Sequence, residues 1–348
     1  MPRCETCNCL PEDCDCFTCD RCGSWFHVDD YGEDGYCVDC VDARNTESRD
    51  SHDGPCVVTY RSCTATKQRG LFTKDTPDRL VGVEIEVASA QRDNHISRAA
   101  RRWTASIVRD GSLPDSGFEI TTAPASGCML EQQLADLGEA LSKDGATVEA
   151  LGYSTRWPCG LHVHVDCQDH SYTDIQRLML AYAWLEPALY KLVPPSRRQN
   201  GYCRPCGQRF VSAIRNGTFP KADKTPGQWV KQTVLGGTYN TISPVDTRLK
   251  KREKYDATRY SACNVHSWIY RGTVELRLFS GTVQAEKILR CAQVWSQIVE
   301  WSYRHTAADL DAMEVAWCNT WPLSERLRPI LTPSVFAWAK ARAESFSS

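Results

Sequence analysis

Leu80–Ala88 reads LVGVEIEVA. At the two-residue period of a strand, Val81, Val83, Ile85 and Val87 share one face, and Gly82, Glu84 and Glu86 share the other. The apolar face requires a cover. The polar face sets two carboxylates side by side, and these repel each other unless positive charge lies between them. A single such pair is ordinarily a solvated strand face. Three further stretches repeat the arrangement.

In VRDGSLPDSGFEITTAP, Val108–Leu113 and Gly117–Thr122 read as two strands joined through the turn formers Asp110-Gly111 and Pro114-Asp115-Ser116-Gly117. Phe118 and Ile120 face one way, Glu119 and Thr121 the other. CGLHVHVD places Leu161, Val163 and Val165 on its apolar face and His162, His164 and Asp166 on its polar face. TVELRLF sets Val274, Leu276 and Leu278 against Thr273, Glu275, Arg277 and Phe279. Glu275 and Arg277 could simply pair with each other. Brought into one sheet, however, Glu84, Glu86, Glu119 and Glu275 would concentrate four negative charges on a shared concave surface, which is strongly destabilising if left unbalanced. Two divalent cations would balance them, and mostly oxygen donors favour Mg²⁺ or Mn²⁺ over Zn²⁺. Hard cations beside an arginine suit a triphosphate.

The 348 residues, 42% hydrophobic and 24% charged, allow one large domain with a real core and something small beside it. No apolar run approaches the ~18 residues of a membrane span, and MPRCETCNCLPEDCDC has no secretory h-region, so a cytoplasmic protein is expected. In a reducing compartment the 19 cysteines are ligands or buried thiols. Nine of them crowd into residues 1–40. Cys19-x2-Cys22 and Cys37-x2-Cys40 form a four-thiolate set spaced for structural Zn²⁺, whose binding would supply the folding energy of so small a module. Cys4, Cys7 and His27 are candidates for a second Zn²⁺, to be completed by Cys9, Cys14 or Cys16. The run CDRCGSWFH followed by CVDC resembles the PHD and RING families, departing from the PHD pattern where Asp30 stands three positions after His27. The same forty residues hold ten acids against Arg3 and Arg21, a balance of −8, so the rest must carry +6 to give the chain's −2. An acidic module is a poor partner for nucleic acid. It could recruit a protein substrate, dock a partner protein or only stabilise the fold.

The organisation expected is therefore a zinc-binding module at 1–42, a polar linker at 43–78 with a short strand at Val57–Tyr60, and a catalytic domain at 79–348. Helical spacing marks His95–Ile107, Gly127–Lys143, Thr173–Val193 with Pro187 inside it, and Ala285–Tyr303, with smaller helical pieces after residue 306. The Leu130, Leu134, Leu137 and Leu141 stripe reads as core. Cys203-x2-Cys206 lacks an obvious second pair and reads as a loop knuckle or free thiols. The basic run Arg248, Lys250, Lys251, Arg252 and Lys254 reads as a solvated face or a loop closing over an anion.

GVEIEV, DGSL…GFEITTAP, CGLHVHVD, RYSACN and GTVELRLFSGT occur in the order found in amidoligases. Residues 80 to about 303 thus resemble the amidoligases of the glutamine synthetase and glutamate–cysteine ligase superfamily. That resemblance implies an α+β fold in which an antiparallel sheet, backed by helices, forms a bowl for ATP and Mg²⁺. It marks Glu84, Glu86, Glu119, His162 and Glu275 as metal ligands and Arg277 and Arg259 as phosphate contacts. It sets Asn264 near the substrate, while His164 is a candidate proton acceptor or nucleotide contact. The implied activity is ATP-dependent joining of a carboxylate to an amine, free or in a peptide or protein, through an acyl phosphate.

Three other functions compete. His162-x-His164-x-Asp166, with His170 close behind, resembles the opening of a binuclear zinc hydrolase motif, although Cys167 stands where the metallo-β-lactamase pattern has histidine. A phosphagen-kinase-like phosphotransferase could use a similar site. A zinc-finger adaptor without activity would leave the facing carboxylates unexplained.

Overall fold

The computed structural model describes residues 67–110, 112–114, 116–149, 159–170, 172–215, 259–306, 308–310, 312 and 322–346, together with two short upstream strands. Those strands, β1 (Phe17–Thr18) and β2 (Trp25–Phe26), pair antiparallel. The expected zinc ligands Cys4, Cys7, Cys19, Cys22, His27, Cys37 and Cys40, the Val57–Tyr60 strand and the basic run at 248–254 lie outside the described residues.

The opening stretch forms β3 (Val81–Val87), and it sits inside a six-stranded antiparallel sheet. The other strands are β4 (Ser106–Val108), β5 (Phe118–Thr121), β6 (Gly160–Asp166), β7 (Cys263–Asn264) and β8 (Thr273–Ser280), in the order β4-β5-β3-β6-β8-β7. Val81, Val83, Ile85, Val87, Ile107, Ile120, Leu161, Val163, Val165, Val274 and Leu276 are buried together with the helical stripe Leu130, Leu134, Leu137 and Leu141. Burying a side chain such as Ile85 completely contributes about 2–3 kcal/mol. Such a sum makes the sheet's two faces non-interchangeable: a one-residue register slip would turn every valine outward.

The helices are α1 (Asn94–Arg102), α2 (Gly127–Lys143), α3 (Tyr172–Leu189), α4 (Pro195–Arg198), α5 (Gly207–Arg215), α6 (His266–Arg271), α7 (Ala285–Arg304) and α8 (Pro333–Glu344). Helix α7 packs against α2 and α3 and reaches β6 and β3. Its middle, from Cys291 to Val299, is buried throughout. The architecture is α+β, with helices backing the apolar face of an antiparallel sheet.

Three expectations need correction. The first helix does not run to Ile107. It stops at Arg102, and Ser106–Val108 becomes edge strand β4, which ends where the strand expected over Val108–Leu113 was to begin. The stop is a Schellman turn: Ala105 N donates to Ala100 O at 2.9 Å, Thr104 N donates to Arg101 O at 3.3 Å, and Thr104 takes φ 51°. Glycine usually fills that place, so the sequence carries no stop signal here. A β-branched residue in this region is strained. Thr104→Gly should therefore stabilise the protein by about 1 kcal/mol, read as a higher midpoint in thermal unfolding, whereas Thr104→Val should not.

The second correction concerns Phe279, expected on the polar face. Leu161 pairs with Phe279 but Val163 pairs with Leu276, so Arg277 and Leu278 together oppose His162 in a bulge. The extra residue reverses the alternation and sends Phe279 into the core. Third, residues 67–78, expected as linker, are tied to the domain. Gln68 bridges to Ala125, Thr73 and Thr76 both donate to Glu131, and Asp75 accepts from Thr332 and Ser334.

Candidate active site

Register assembles the polar face in rows. Glu84 lies opposite His162 on one side and Thr121 on the other; Glu86 lies opposite Glu119; His164 lies between Gly82 and Glu275; and Asn264 flanks Glu275. The sheet thus brings Glu84, Glu86, Glu119, His162, His164, Glu275, Arg277 and Asn264 onto one surface. All are buried, from Glu119 at 1% exposed to Glu86, His164 and Arg277 at 8%.

His162 is ringed by carboxylates. Its Nδ1 is 3.1 Å from Glu84 Oε2 and 3.6 Å from Glu275 Oε1, and its Nε2 is 3.5 Å from Glu86 Oε1. His164 Nε2 lies 3.2 Å from Glu84 Oε1 and 3.8 Å from Glu275 Oε1, yet it makes no hydrogen bond. Burying a polar nitrogen without a partner is costly, and a cation among these oxygens would give its lone pair a use. Among the described residues, three sets of donors are close enough to share an ion: Glu84, His164 and Glu275; Glu84, Glu119 and His162; and Glu86, Asp110 and Glu119. Mostly carboxylate oxygens with one imidazole fit Mg²⁺ or Mn²⁺. Glu84 belongs to two sets, turning Oε1 to one and Oε2 to the other.

The charges are partly balanced within the protein. Burial pushes Glu275 up, but Arg277, whose Nη1 is 2.6 Å away, and then His164 outweigh it and hold the carboxyl at about 2. Burial likewise opposes ionisation of Glu84, yet the neighbouring His164, the hydrogen bond with His162 and Arg271 keep it well below the usual carboxylate range. Carboxylates that stay ionised when buried make the fold acid-sensitive. The stability due to Glu275 is whole above the unfolded value of 4.5 and drains away as pH falls towards about 2. Calorimetry of metal-free protein should show an unfolding midpoint that declines below pH 4.5, and Glu275→Gln should make that decline shallower while lowering the midpoint at pH 7.

Three residues of the site lie outside the strand patterns from which it was read. Asp110 completes the third donor set, and its own Oδ1 accepts from Ser112 N and Oγ at 2.8 and 2.7 Å. Its Asp-Gly pair reads as turn chemistry alone. Arg271, at the end of α6, donates to Glu84 Oε1 at 3.1 Å. Arg197, buried in α4, donates through Nη2 to Arg277 O at 2.7 Å and through Nε to Leu278 O at 3.2 Å, satisfying the bulge carbonyls. No strand periodicity points to either arginine. Arg259, expected as a phosphate contact, is half-buried ahead of β7 with its guanidinium 5.3 Å from the ring centroid of Tyr260. Asn264 donates to Glu275 Oε2 at 2.7 Å and so orients a carboxylate.

Asp166, the third member of the hydrolase-like motif, is in none of the donor sets. Its Oδ1 accepts from Gln168 N at the strand end. Cys203 and Cys206 are buried and likewise belong to no donor set among the described residues. Cys159, just before Gly160 at the start of β6, is pushed up to about 12, first by burial and then by the charge of Glu86, so it stays a thiol at neutral pH.

The family model described as "Putative amidoligase enzyme" matches residues 117–299, just over half of the chain. The chain belongs to this amidoligase family. The matched span contains β5 to β8 and most of α7. Strand β3, with Glu84 and Glu86, precedes the matched residues but is hydrogen-bonded to β5 and β6 within them. Family membership identifies a ligase that forms amide bonds. No curated protein matches the chain, and among the described residues no helix is long and apolar enough to cross a membrane.

Proposed function

We propose that this amidoligase is an ATP-dependent carboxylate–amine ligase with a glutamine synthetase-like bowl, working through an acyl phosphate. The observation that carries the proposal is the double role of Glu84, one oxygen turned to each of two adjoining donor sets. A substrate carboxylate oxygen attacks the γ-phosphorus of ATP, the bond to the β-bridging oxygen breaks, and ADP leaves. The amine lone pair then attacks the acyl carbon, inorganic phosphate departs, and the nitrogen loses a proton to form the amide. Divalent ions held by Glu84, Glu86, Glu119, His162, His164 and Glu275 would neutralise charge on the transferring phosphoryl group.

The protein's own groups divide the remaining work. Arg277 is fixed by Glu275 and stays fully charged, because the surrounding carboxylates outweigh the burial that opposes its charge. It supplies a positive end beside the donor sets for a phosphate oxygen. Arg271, a guanidinium at Glu84 that is more exposed than Arg277, can turn to substrate phosphate, and Arg259, half-buried ahead of β7, is assigned the same purpose. Asn264 orients Glu275 and borders the substrate. Burial of the ligands excludes water, which protects an acyl phosphate from hydrolysis.

We extend this proposal to the whole chain: a structural Zn²⁺ module at 1–42, a linker, and a catalytic domain whose wall begins by residue 67, acting in the cytoplasm on small or protein-borne carboxylates and amines. The zinc module would present a protein partner.

The test is incubation with Mg-ATP, hydroxylamine and a panel of carboxylates including glutamate, aspartate and short peptides. ADP and hydroxamate should form in equal amounts with one member of the panel. ADP without hydroxamate would favour a phosphotransferase, and carboxylate-independent hydrolysis of an ester or amide without ATP would favour a hydrolase.

A further inference from the structure

His164 offers its two ring nitrogens to different neighbours. Nε2 faces Glu84 Oε1 and Glu275 Oε1 without a hydrogen bond, while Nδ1 lies 3.1 Å from Thr273 Oγ1 and 3.4 Å from Ser267 Oγ. The two hydroxyls are 3.0 Å from each other. Ser267 is buried, and its backbone N–H donates to Asn264 Oδ1 at 3.3 Å, the same amide that orients Glu275. Thr273 begins β8 opposite Asp166, two residues before Glu275, which faces His164.

A neutral imidazole binds a cation only through the nitrogen that lacks a proton, and the partner of the other nitrogen selects which one that is. We infer that Thr273 and Ser267 are positioning residues that commit His164 to ligation through Nε2, and so build the Glu84–His164–Glu275 set into a cation site separate from the one at His162. Nδ1–H donates to Thr273 Oγ1, and the threonine O–H turns on to Ser267 Oγ. The ring is then locked with its Nε2 lone pair between the two carboxylates. A methyl group in place of the threonine hydroxyl would leave Nδ1–H buried beside the weaker Ser267 contact, freeing the ring to change tautomer or turn.

The inference rests on the sheet carboxylates holding divalent ions, so the experiment separates the two ideas. Mn²⁺ is titrated into the full chain and followed by electron paramagnetic resonance, which reports bound ions without any turnover. The wild type should bind at least two Mn²⁺ at this site. The Thr273→Val/Ser267→Ala double variant should lose 10- to 100-fold in affinity for one of them, Thr273→Ser should bind as the wild type does, and His164→Ala should lose the same ion. An unchanged thermal midpoint in Thr273→Val/Ser267→Ala shows that the loss is local. If that variant unfolds, Ser267→Ala alone should still weaken the same ion relative to Thr273→Ser. Wild-type ion binding with equal affinity in every hydroxyl variant would overturn the inference and leave the metal site standing. Absence of bound Mn²⁺ in the wild type would overturn the metal site itself, and the inference with it.

Discussion

Glu84→Ala should abolish ADP formation, reducing it by at least about 10³-fold, and should remove both of the ions expected around the histidines. The size follows from the position of the carboxylate. Cation stabilisation of a transferring phosphoryl group is worth several kcal/mol, and each 1.36 kcal/mol corresponds to a factor of ten. Among the described residues, Glu84 alone is common to the His162 and His164 donor sets. Its loss also strands the groups that face it, Arg271 Nη1 at 3.1 Å and the two histidines. Glu84→Gln keeps the shape and removes the charge, so it should lose activity nearly as completely while retaining more stability. Glu139→Gln is the control: that exposed carboxylate pairs with Lys143 on the outer side of α2, and the variant should turn over ATP normally. Zinc content should be unchanged in all three. A Glu84→Ala protein that folds by circular dichroism and still makes ADP would remove the sheet face from the mechanism.

Much of this site can be read from period-2 patterns, and the reason is physical. Residues that meet across an antiparallel sheet alternate strictly, so apolar Val83, Val163 and Leu276 fix by register which polar residues must face Glu84. The helix Gly127–Lys143 was legible to the residue because its leucine stripe and flanking turn residues agree. Where the chain departs from strict alternation, the sequence is silent. The bulge at Arg277–Leu278 inserts one residue with no Gly or Pro to mark it, and Phe279 changes face. Thr104 ends a helix in a conformation the sequence does not advertise. Asp110, Arg197 and Arg271 come from loops and short helices, where no period reports the direction of a side chain; only the folded chain brings them to the strands.

Gly160→Ala should fold less stably by about 1–3 kcal/mol, bind Mn²⁺ more weakly, and lose activity on the order of 100-fold. Gly160 starts β6 beside Glu86, and its N–H donates to Glu86 Oε2. A Cβ at this position would lie 2.7 Å from both Arg197 Nη2 and His162 Nε2, and 3.3 Å from Glu86 Oε2. Long side chains often swing clear of such a clash, but these are held. Arg197 is tied to the carbonyls of Arg277 and Leu278, and His162 to Glu84. Relief must therefore come from moving the imidazole off its carboxylates or the guanidinium off the bulge, and either movement disturbs the donor sets. Gly82→Ala makes the comparison sharp, because its Cβ would meet only His164 Cβ, at 3.9 Å. That variant should unfold at the wild-type midpoint. Equal stability of the two alanine variants would mean that the glycine at 160 is not required by the packing of Arg197, His162 and Glu86. A selective loss at 160 would mean that the missing side chain is itself part of the site, the space into which Arg197 and His162 converge.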